Sequence, residues 1–405
     1  MCDIGSQTSA NAVPPSLQHN ATEITNKTSV EGLYFDFNDG LRIQVPNEKF
    51  KIFLEDYDKG LIITSTVASG TTLAYKKAFF VNYRLAIYKD DKLIFEHIYN
   101  AKSKNILIRF AKSATWEVVA WIPYVEEFRK KHQCQLFCKI PERFVPVLKQ
   151  SYPKITFVDT NTVPDNLYAT YDMVCATPNT TECSQYGLEN LHPADWRLVG
   201  LQRYGAYILG VEPVERRPRI LSNKSSALRE KYVCISSQAA AQCQYWNTPN
   251  GWLELIEYLK KCGYRVLCID RYALTVNGWH GNSIPYGSED FTGERSVQEI
   301  IDLLSQADFF VGLSNELAWL AWSLGKPVVL LAGHTAPNTE FYTPYRIENF
   351  LICNSCYNDR RIERKNFKDF SACPRYNGTD QEYTCTRFIS PTYAKNIIDR
   401  LIQNL

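Results

Sequence analysis

Four cysteines near the C-terminus have the spacing of a metal ligand set: Cys353-x2-Cys356, then Cys373 followed by Pro374, then Cys385. A C-x2-C knuckle places two thiolates on one side of a metal, and two more cysteines within about thirty residues complete a tetrahedral sulfur site. That donor set suits zinc or iron. Four thiolates leave no open coordination position, so the metal is expected to be structural.

A second stretch with chemical meaning is ADFFVGLSNELAWLAWSLGKPVVLLAG, residues 307–333. It reads as a buried strand over 309–311, a turn over 312–315, a helix over 316–324, a Gly-Lys-Pro stop and an all-apolar strand over 328–331. Strands without polar alternation belong to a parallel sheet covered on both faces, and a unit of this length is a right-handed βαβ crossover. Ligands of such sheets sit beyond the carboxyl ends of the strands, where a helix start offers free N–H groups and partial positive charge. Here that place is Ser314, Asn315, Glu316, Leu317 and Ala318. Asp270, ending the strand-like run RVLCID, and His334, directly after the last strand, face the same edge; Asp270 is read either as a ligand contact or as a cap of the next turn, and His334 as a candidate donor contact.

The elements that must position these residues form two α/β halves. The first starts at NILIRF (105–110) and continues through the helical WEVVAWIPYVEEFRKKH, a strand over 135–139, a helix over 142–150 and a strand over 154–158. The second starts at 232–235 and continues through the polar loop SSQAAAQCQYWNTPN, a helix over 251–262, a strand over 265–269 and a helix over 297–306. A basic, proline-containing segment, VEPVERRPRI, joins them. Ahead of both, short β-branched and aromatic runs with turn signals such as Asn38-Asp39-Gly40 predict an antiparallel β domain for docking or assembly. The expected boundaries are a flexible tail over 1–30, the β domain over 31–103, α/β domains over 104–215 and 216–345, and a cysteine finger with a terminal helix over 346–405.

The chain has 405 residues, 45% hydrophobic and 13% aromatic, enough for two or three domains. Its formal charge of +2, from 45 basic and 43 acidic residues, gives no electrostatic argument for nucleic acid. No run approaches the roughly 20 apolar residues that span a bilayer, and the first thirty residues hold no hydrophobic signal core, so a cytoplasmic protein is expected. Most of the 13 cysteines lie in apolar runs, as reduced core thiols do. The lack of a Gly-x-Gly-x-x-Gly, a Walker loop or a catalytic triad argues against dehydrogenase, ATPase and hydrolase functions.

IPYVEEF, SSQ…YWNTPNGW, CIDRY, DFFVGLSNELAWLAWSLGKPVV and the terminal CNSCYND…CPRY…C together resemble the bacterial autotransporter heptosyltransferase family. Its members are relatives of the lipopolysaccharide heptosyltransferases and share their GT-B fold. The resemblance covers residue 32 to the C-terminus. It implies transfer of heptose from ADP-heptose to serine hydroxyls of an autotransporter adhesin passenger, a homo-oligomeric ring and a bound iron at Cys353, Cys356, Cys373 and Cys385. The expected donor site comprises Ser237, Gln238, Gln242, Gln244, Asp270, 314–318 and His334.

Three positions depart from the family pattern. A Gly-Asp pair, the Asp as general base, reads Trp116-Glu117, which makes Glu117 the candidate base with a reach about an ångström different. A lysine before Tyr-Trp-Asn reads Gln244, which can hydrogen-bond a phosphate but not neutralise it. A Ser-Gly at the helix start reads Asn315-Glu316, an anion where a pyrophosphate would approach. The alternatives are a catalytically altered or inactive GT-B paralogue that scaffolds a partner, such as a paralogous subunit, or a transferase with a different activated donor. Arg360, Arg361, Arg364, Lys365 and Lys368 between the cysteine pairs read as a charged loop, either solvated or facing an acidic partner.

Overall fold

The computed structural model describes residues 23–24, 26–110, 115–159, 161–175, 188–223, 230–277, 280–362 and 372–405. Most of the expected tail, and Arg364, Lys365 and Lys368, lie outside them. Within the expected tail, Asn26–Lys27 pairs antiparallel with Tyr34 and Phe35. The chain forms two compact units, one of residues 1–111, 132–140 and 157–192, the other of 112–131, 141–156 and 193–405.

A mixed sheet runs in the order Gln135–Lys139, Asn105–Arg109, Leu167–Asp172, Tyr34–Asn38, Gly40–Val45, Thr71–Lys76, with Ile155–Val158 at its edge beyond Gln135–Lys139. The first four strands are parallel neighbours, and the hairpin that follows is antiparallel. The strand Tyr34–Asn38 therefore belongs both to the predicted antiparallel set and to the parallel one. Its turn reads as the Asn-Asp-Gly signal demands: Asp39 and Gly40 have φ of 59° and 98°, and a Cβ on Gly40 would stand 2.0 Å from the Tyr75 carbonyl oxygen. A second, antiparallel sheet is ordered Leu61–Ala68, Phe50–Asp56, Tyr83–Lys89, Lys92–Ile98. Phe37 stacks on Tyr83 with ring centroids 5.4 Å apart, joining the inner faces of the two sheets. Arg109, nearly buried, grips Asp172 through Nε at 2.6 Å and Nη2 at 2.7 Å, which pins the register of two adjacent parallel strands.

The second unit is built on a six-stranded parallel sheet ordered Glu289–Asp290, Arg265–Cys268, Tyr232–Ser236, Phe310–Leu313, Val328–Leu331, Arg346–Ile347. The strands Tyr232–Ser236, Phe310–Leu313 and Val328–Leu331 consist wholly of buried residues, as their uninterrupted apolar character requires. Helices Gly251–Lys261 and Pro391–Ile402 cover one side through Leu255, Ile256, Leu259, Ile397, Ile398 and Leu401. Chain order reverses between Tyr232–Ser236 and Phe310–Leu313, which is the topological switch point where open α/β sheets bind ligands.

Two sequence expectations shift locally. Gly312, read as a turn residue, lies inside the strand Phe310–Leu313, and the helix that follows runs Glu316–Ser323. The helix expected over 142–150 is a 3-10 turn, Glu142–Phe144, followed by an α-helix, Val145–Ser151. Pro146 has no N–H to return to Glu142, so the α-helix restarts with proline in its first turn.

Candidate functional site

Ser236 ends one strand of the switch point and Leu313 the other, while Asp270 follows the neighbouring Arg265–Cys268. Beyond these ends lies a cavity of about 460 Å³. Its lining includes Gln238, Ala239, Gln244, Asp270, Arg271 and Tyr272 from the first two loops and Ser314, Asn315, Glu316 and Leu317 from the third. Trp116, at the start of the Thr115–His132 helix, also lines it. That helix is seated by Trp121, whose Nε1 donates to the Leu201 carbonyl at 2.7 Å beside Gly205, where any Cβ would strike the indole.

The polar floor is closely tied. Asp270, 2% exposed, accepts the Ser236 hydroxyl at 2.5 Å, the Ser237 N–H at 2.8 Å and the Ser237 hydroxyl at 3.1 Å. Asp270 thus joins two loops below the cavity. Asn315 Nδ2 donates to Ser236 Oγ at 2.7 Å and to the Gln238 carbonyl at 3.0 Å, while its Oδ1 accepts the N–H groups of Leu317 and Ala318 at 3.1 and 3.2 Å. Asn315 is therefore an N-cap held from both sides.

Other predicted residues divide between wall and support. Gln238 donates to the Tyr272 carbonyl at 2.6 Å, and Gln244 accepts the Ala241 N–H at 3.1 Å; both line the cavity. Gln242 is outside the lining and braces Asn247 at 2.6 Å. Ala318 is fully buried, and Glu117, half-buried in the first helical turn beside Trp116, is not a lining residue. His334 lies outside the lining with its Nδ1 3.0 Å from Cys356 Sγ. The sequence reading missed Thr335, Thr339, Glu340 and Tyr357, which form another wall. Glu340 receives the Ser314 hydroxyl and the Arg346 guanidinium, the latter at 2.7 Å.

Among the described lining residues the charged side chains are Asp270, Glu316, Glu340 and Arg271. Arg271 is largely exposed and bound to Glu294; that carboxylate first, and Glu316 further down, raise its pKa. The cavity has an acidic balance at the place where a diphosphate would meet the helix start.

The YWNTPNGW motif has a structural task. Trp246 Nε1 donates to the Ile389 carbonyl at 2.9 Å, Thr248 Oγ1 to the Thr386 carbonyl at 2.9 Å, and Asn247 Nδ2 to Thr386 Oγ1 at 2.8 Å. It ties the segment containing Cys385 to the loop that carries Gln244. Gly251 is required there, since a Cβ would stand 2.9 Å from the Trp246 ring.

Cys356, Cys373 and Cys385 are buried and Cys353 is half-buried. Burial, then the proximity of Cys243, Cys385, Cys373 and Cys353, pushes the Cys356 thiol up; burial, then Cys353 and Cys373, pushes Cys385 up to about 12. Among the described residues no three His, Cys, Asp or Glu side chains stand as a metal-holding group. The surroundings fit a thiolate set: Arg375 Nη1 donates to Cys353 Sγ at 3.3 Å, and His334 faces Cys356. Metal uptake here would release protons from thiols that burial otherwise keeps neutral. Of the basic loop, Arg360 pairs with Asp195 at 3.1 Å and Arg361 with Asp359 at 2.8 Å.

Comparison with known proteins places this geometry. Residues 30–91 match the family model described as glycosyltransferase TibC, N-terminal domain, and residues 214–368 match glycosyltransferase family 9 (heptosyltransferase). The chain is 39% identical to the autotransporter heptosyltransferase Aah of Escherichia coli, over 94% of this chain and 95% of that protein. It is 33% identical to a Burkholderia thailandensis protein described as an inactive autotransporter heptosyltransferase, BimC, over 96% of this chain and 92% of that one. Among solved structures, the dodecameric iron-containing glycosyltransferase TibC of enterotoxigenic E. coli superposes with a TM-score of 0.86 at 35% identity, covering 94% of this chain and 98% of that one. A second TibC structure, in complex with ADP-D-beta-D-heptose, gives 0.87. E. coli lipopolysaccharide heptosyltransferase II, 12% identical, covers 74% of this chain and 99% of its own at a TM-score of 0.52, and shows the shared GT-B-like fold. No helix among the described residues is long and apolar enough to cross a membrane.

Proposed function

The chain belongs to the autotransporter heptosyltransferase family, and from that premise we propose that it transfers heptose from ADP-heptose to serine hydroxyls of an adhesin passenger. The observation that carries this reading is the cavity at the switch point, most of whose lining lies inside the segment matched by the heptosyltransferase model. In the proposed reaction the serine oxygen attacks the anomeric carbon, the bond from that carbon to the diphosphate oxygen breaks, and ADP leaves. Glu117 accepts the serine proton, and Gln244, Ser314 and the start of the Glu316–Ser323 helix receive the nucleotide. Cys353, Cys356, Cys373 and Cys385 hold one iron, which supplies a structural crosslink and takes no part in the transfer. The protein acts in the cytoplasm as a homo-oligomer; TibC, described as dodecameric, supports the assembly.

A specific observation favours a second reading. Asn315 occupies the first amides of its own helix and Glu316 adds a carboxylate to the cavity, which suits a non-catalytic scaffold; one relative is described as inactive. Calorimetric titration of the metal-loaded protein with ADP-heptose, with ADP as control, separates the two. Micromolar binding followed by a heptose mass increment on a purified passenger supports transfer. Absence of heat with either nucleotide supports the scaffold.

A further inference from the structure

The wall of the cavity that the sequence did not reveal is built on the cysteine segment. Ser355 N–H donates to the Gly333 carbonyl at 2.8 Å and Tyr357 N–H to the His334 carbonyl at 2.9 Å, so the Cys353-x2-Cys356 knuckle lies along the loop that leaves the strand Val328–Leu331. Asn358 closes that loop. Its Oδ1 accepts the Ala336 N–H at 2.8 Å and the Thr339 hydroxyl at 3.1 Å, and its Nδ2 donates to the Arg197 carbonyl at 2.7 Å. Two residues next to cysteines face the cavity: Tyr357 follows Cys356, and Gln244 follows Cys243, a buried residue close enough to act on the Cys356 thiol. The His334 ring connects the two environments, with Nδ1 on Cys356 Sγ and an edge-to-face contact with Tyr357 at 5.6 Å.

We propose that the metal of the four-cysteine site and the sugar nucleotide in the cavity are thermodynamically linked through His334, Tyr357 and Asn358, so that each ligand tightens the other. The proposal rests on the donor and metal assignments above. The physical ground is ordering. A metal that fixes Cys353 and Cys356 fixes the backbone from 353 to 358, and with it Tyr357 and the Thr335–Glu340 wall. A donor entering a cavity whose wall is already fixed avoids that ordering cost. Linkage is reciprocal, so the donor must raise the affinity for the metal by the same coupling, typically about 5–150-fold.

The experiment uses the full chain reconstituted with ferrous iron, with metal per chain counted by elemental analysis. The partition of iron between the chain and a competing chromophoric chelator is measured at equilibrium with and without saturating ADP-heptose, and hydrogen exchange of 333–340 is compared before and after stripping. The expected result is donor protection of about tenfold, read as the rise in apparent iron affinity when the donor is bound, and faster exchange of 333–340 in the stripped chain. Asn358→Ala, which leaves all four cysteines in place, is expected to keep its iron while donor protection falls to near unity. A purely structural role for Asn358 would leave that protection intact. Protection within twofold of unity in the wild type, with iron and donor both bound, overturns the linkage. A chain that binds no iron, or in loaded form no ADP-heptose, overturns the underlying assignment and the linkage with it, and the metal count and the titration show which assignment failed.

Discussion

Oδ1 of Asn315 stands 3.2 Å from the amide nitrogen of Ala318 and accepts its hydrogen bond, so the helix at the switch point already satisfies part of its own N-terminus. Glu316, the next residue, lines the cavity and adds negative charge to the same helix start. Replacing it removes a repulsion and exposes the backbone. Glu316→Gly is therefore expected to tighten ADP binding about tenfold at low ionic strength, less as salt screens the charge. Titration of ADP at two salt concentrations checks this. An unchanged Kd at both would place the diphosphate elsewhere.

Asp270 supports the floor of the cavity by accepting from both hydroxyls and one amide of Ser236 and Ser237. In Asp270→Asn one carboxylate oxygen becomes an NH2 facing donors inside a buried site. A loss of about 2 kcal/mol in unfolding free energy is expected, measurable in a urea titration. Because Asp270 joins two loops that line the cavity, nucleotide affinity should fall with it.

His97 carries a pH dependence in the first unit. Its Nε2 lies 2.8 Å from the Tyr168 hydroxyl, and burial first, then the positive charge of Lys104, lowers its pKa below the ordinary 6.5. The unfolded chain therefore binds a proton that the folded chain refuses as pH falls through about 6.5. This histidine's contribution is complete above that value and declines below it until the folded group also titrates. Urea midpoints between about pH 7.5 and 5.5 should fall, and His97→Gln should flatten the slope. An identical slope in the variant would assign the effect to other groups.

Much of the second unit was legible because its strands are short apolar runs with punctuation on both sides, a pattern that depends little on distant contacts. The loops carrying Gln238, Gln244 and Ser314 could be placed at the cavity for the same reason: they follow strand ends. Glu340 and Tyr357 gave no such signal. Glu340 faces the cavity because half-buried Arg346 and the Ser314 hydroxyl hold its carboxylate, and Tyr357 because two backbone hydrogen bonds lay the cysteine knuckle beside the loop after Leu331. Those pairings join residues from different strand ends, which local pattern does not encode. Asp270 shows the converse: its position was legible, but not that its oxygens are held by neighbouring serines.

Gly333 separates the metal site from general stability. A Cβ there would stand 2.6 Å from the Cys385 carbonyl oxygen and 2.8 Å from its carbonyl carbon, so the backbone of the fourth cysteine must move. Crowding of this kind costs about 1–3 kcal/mol. In Gly333→Ala the displaced group is a ligand of the proposed site, so iron content per chain should fall as well. Gly378→Ala is the control: that glycine has φ of +75° and nothing within 4 Å of its would-be Cβ. It should lose about 1 kcal/mol through backbone strain and keep its iron. Elemental analysis beside thermal unfolding of both variants makes the comparison. Full iron in Gly333→Ala would remove Cys385 from the ligand set.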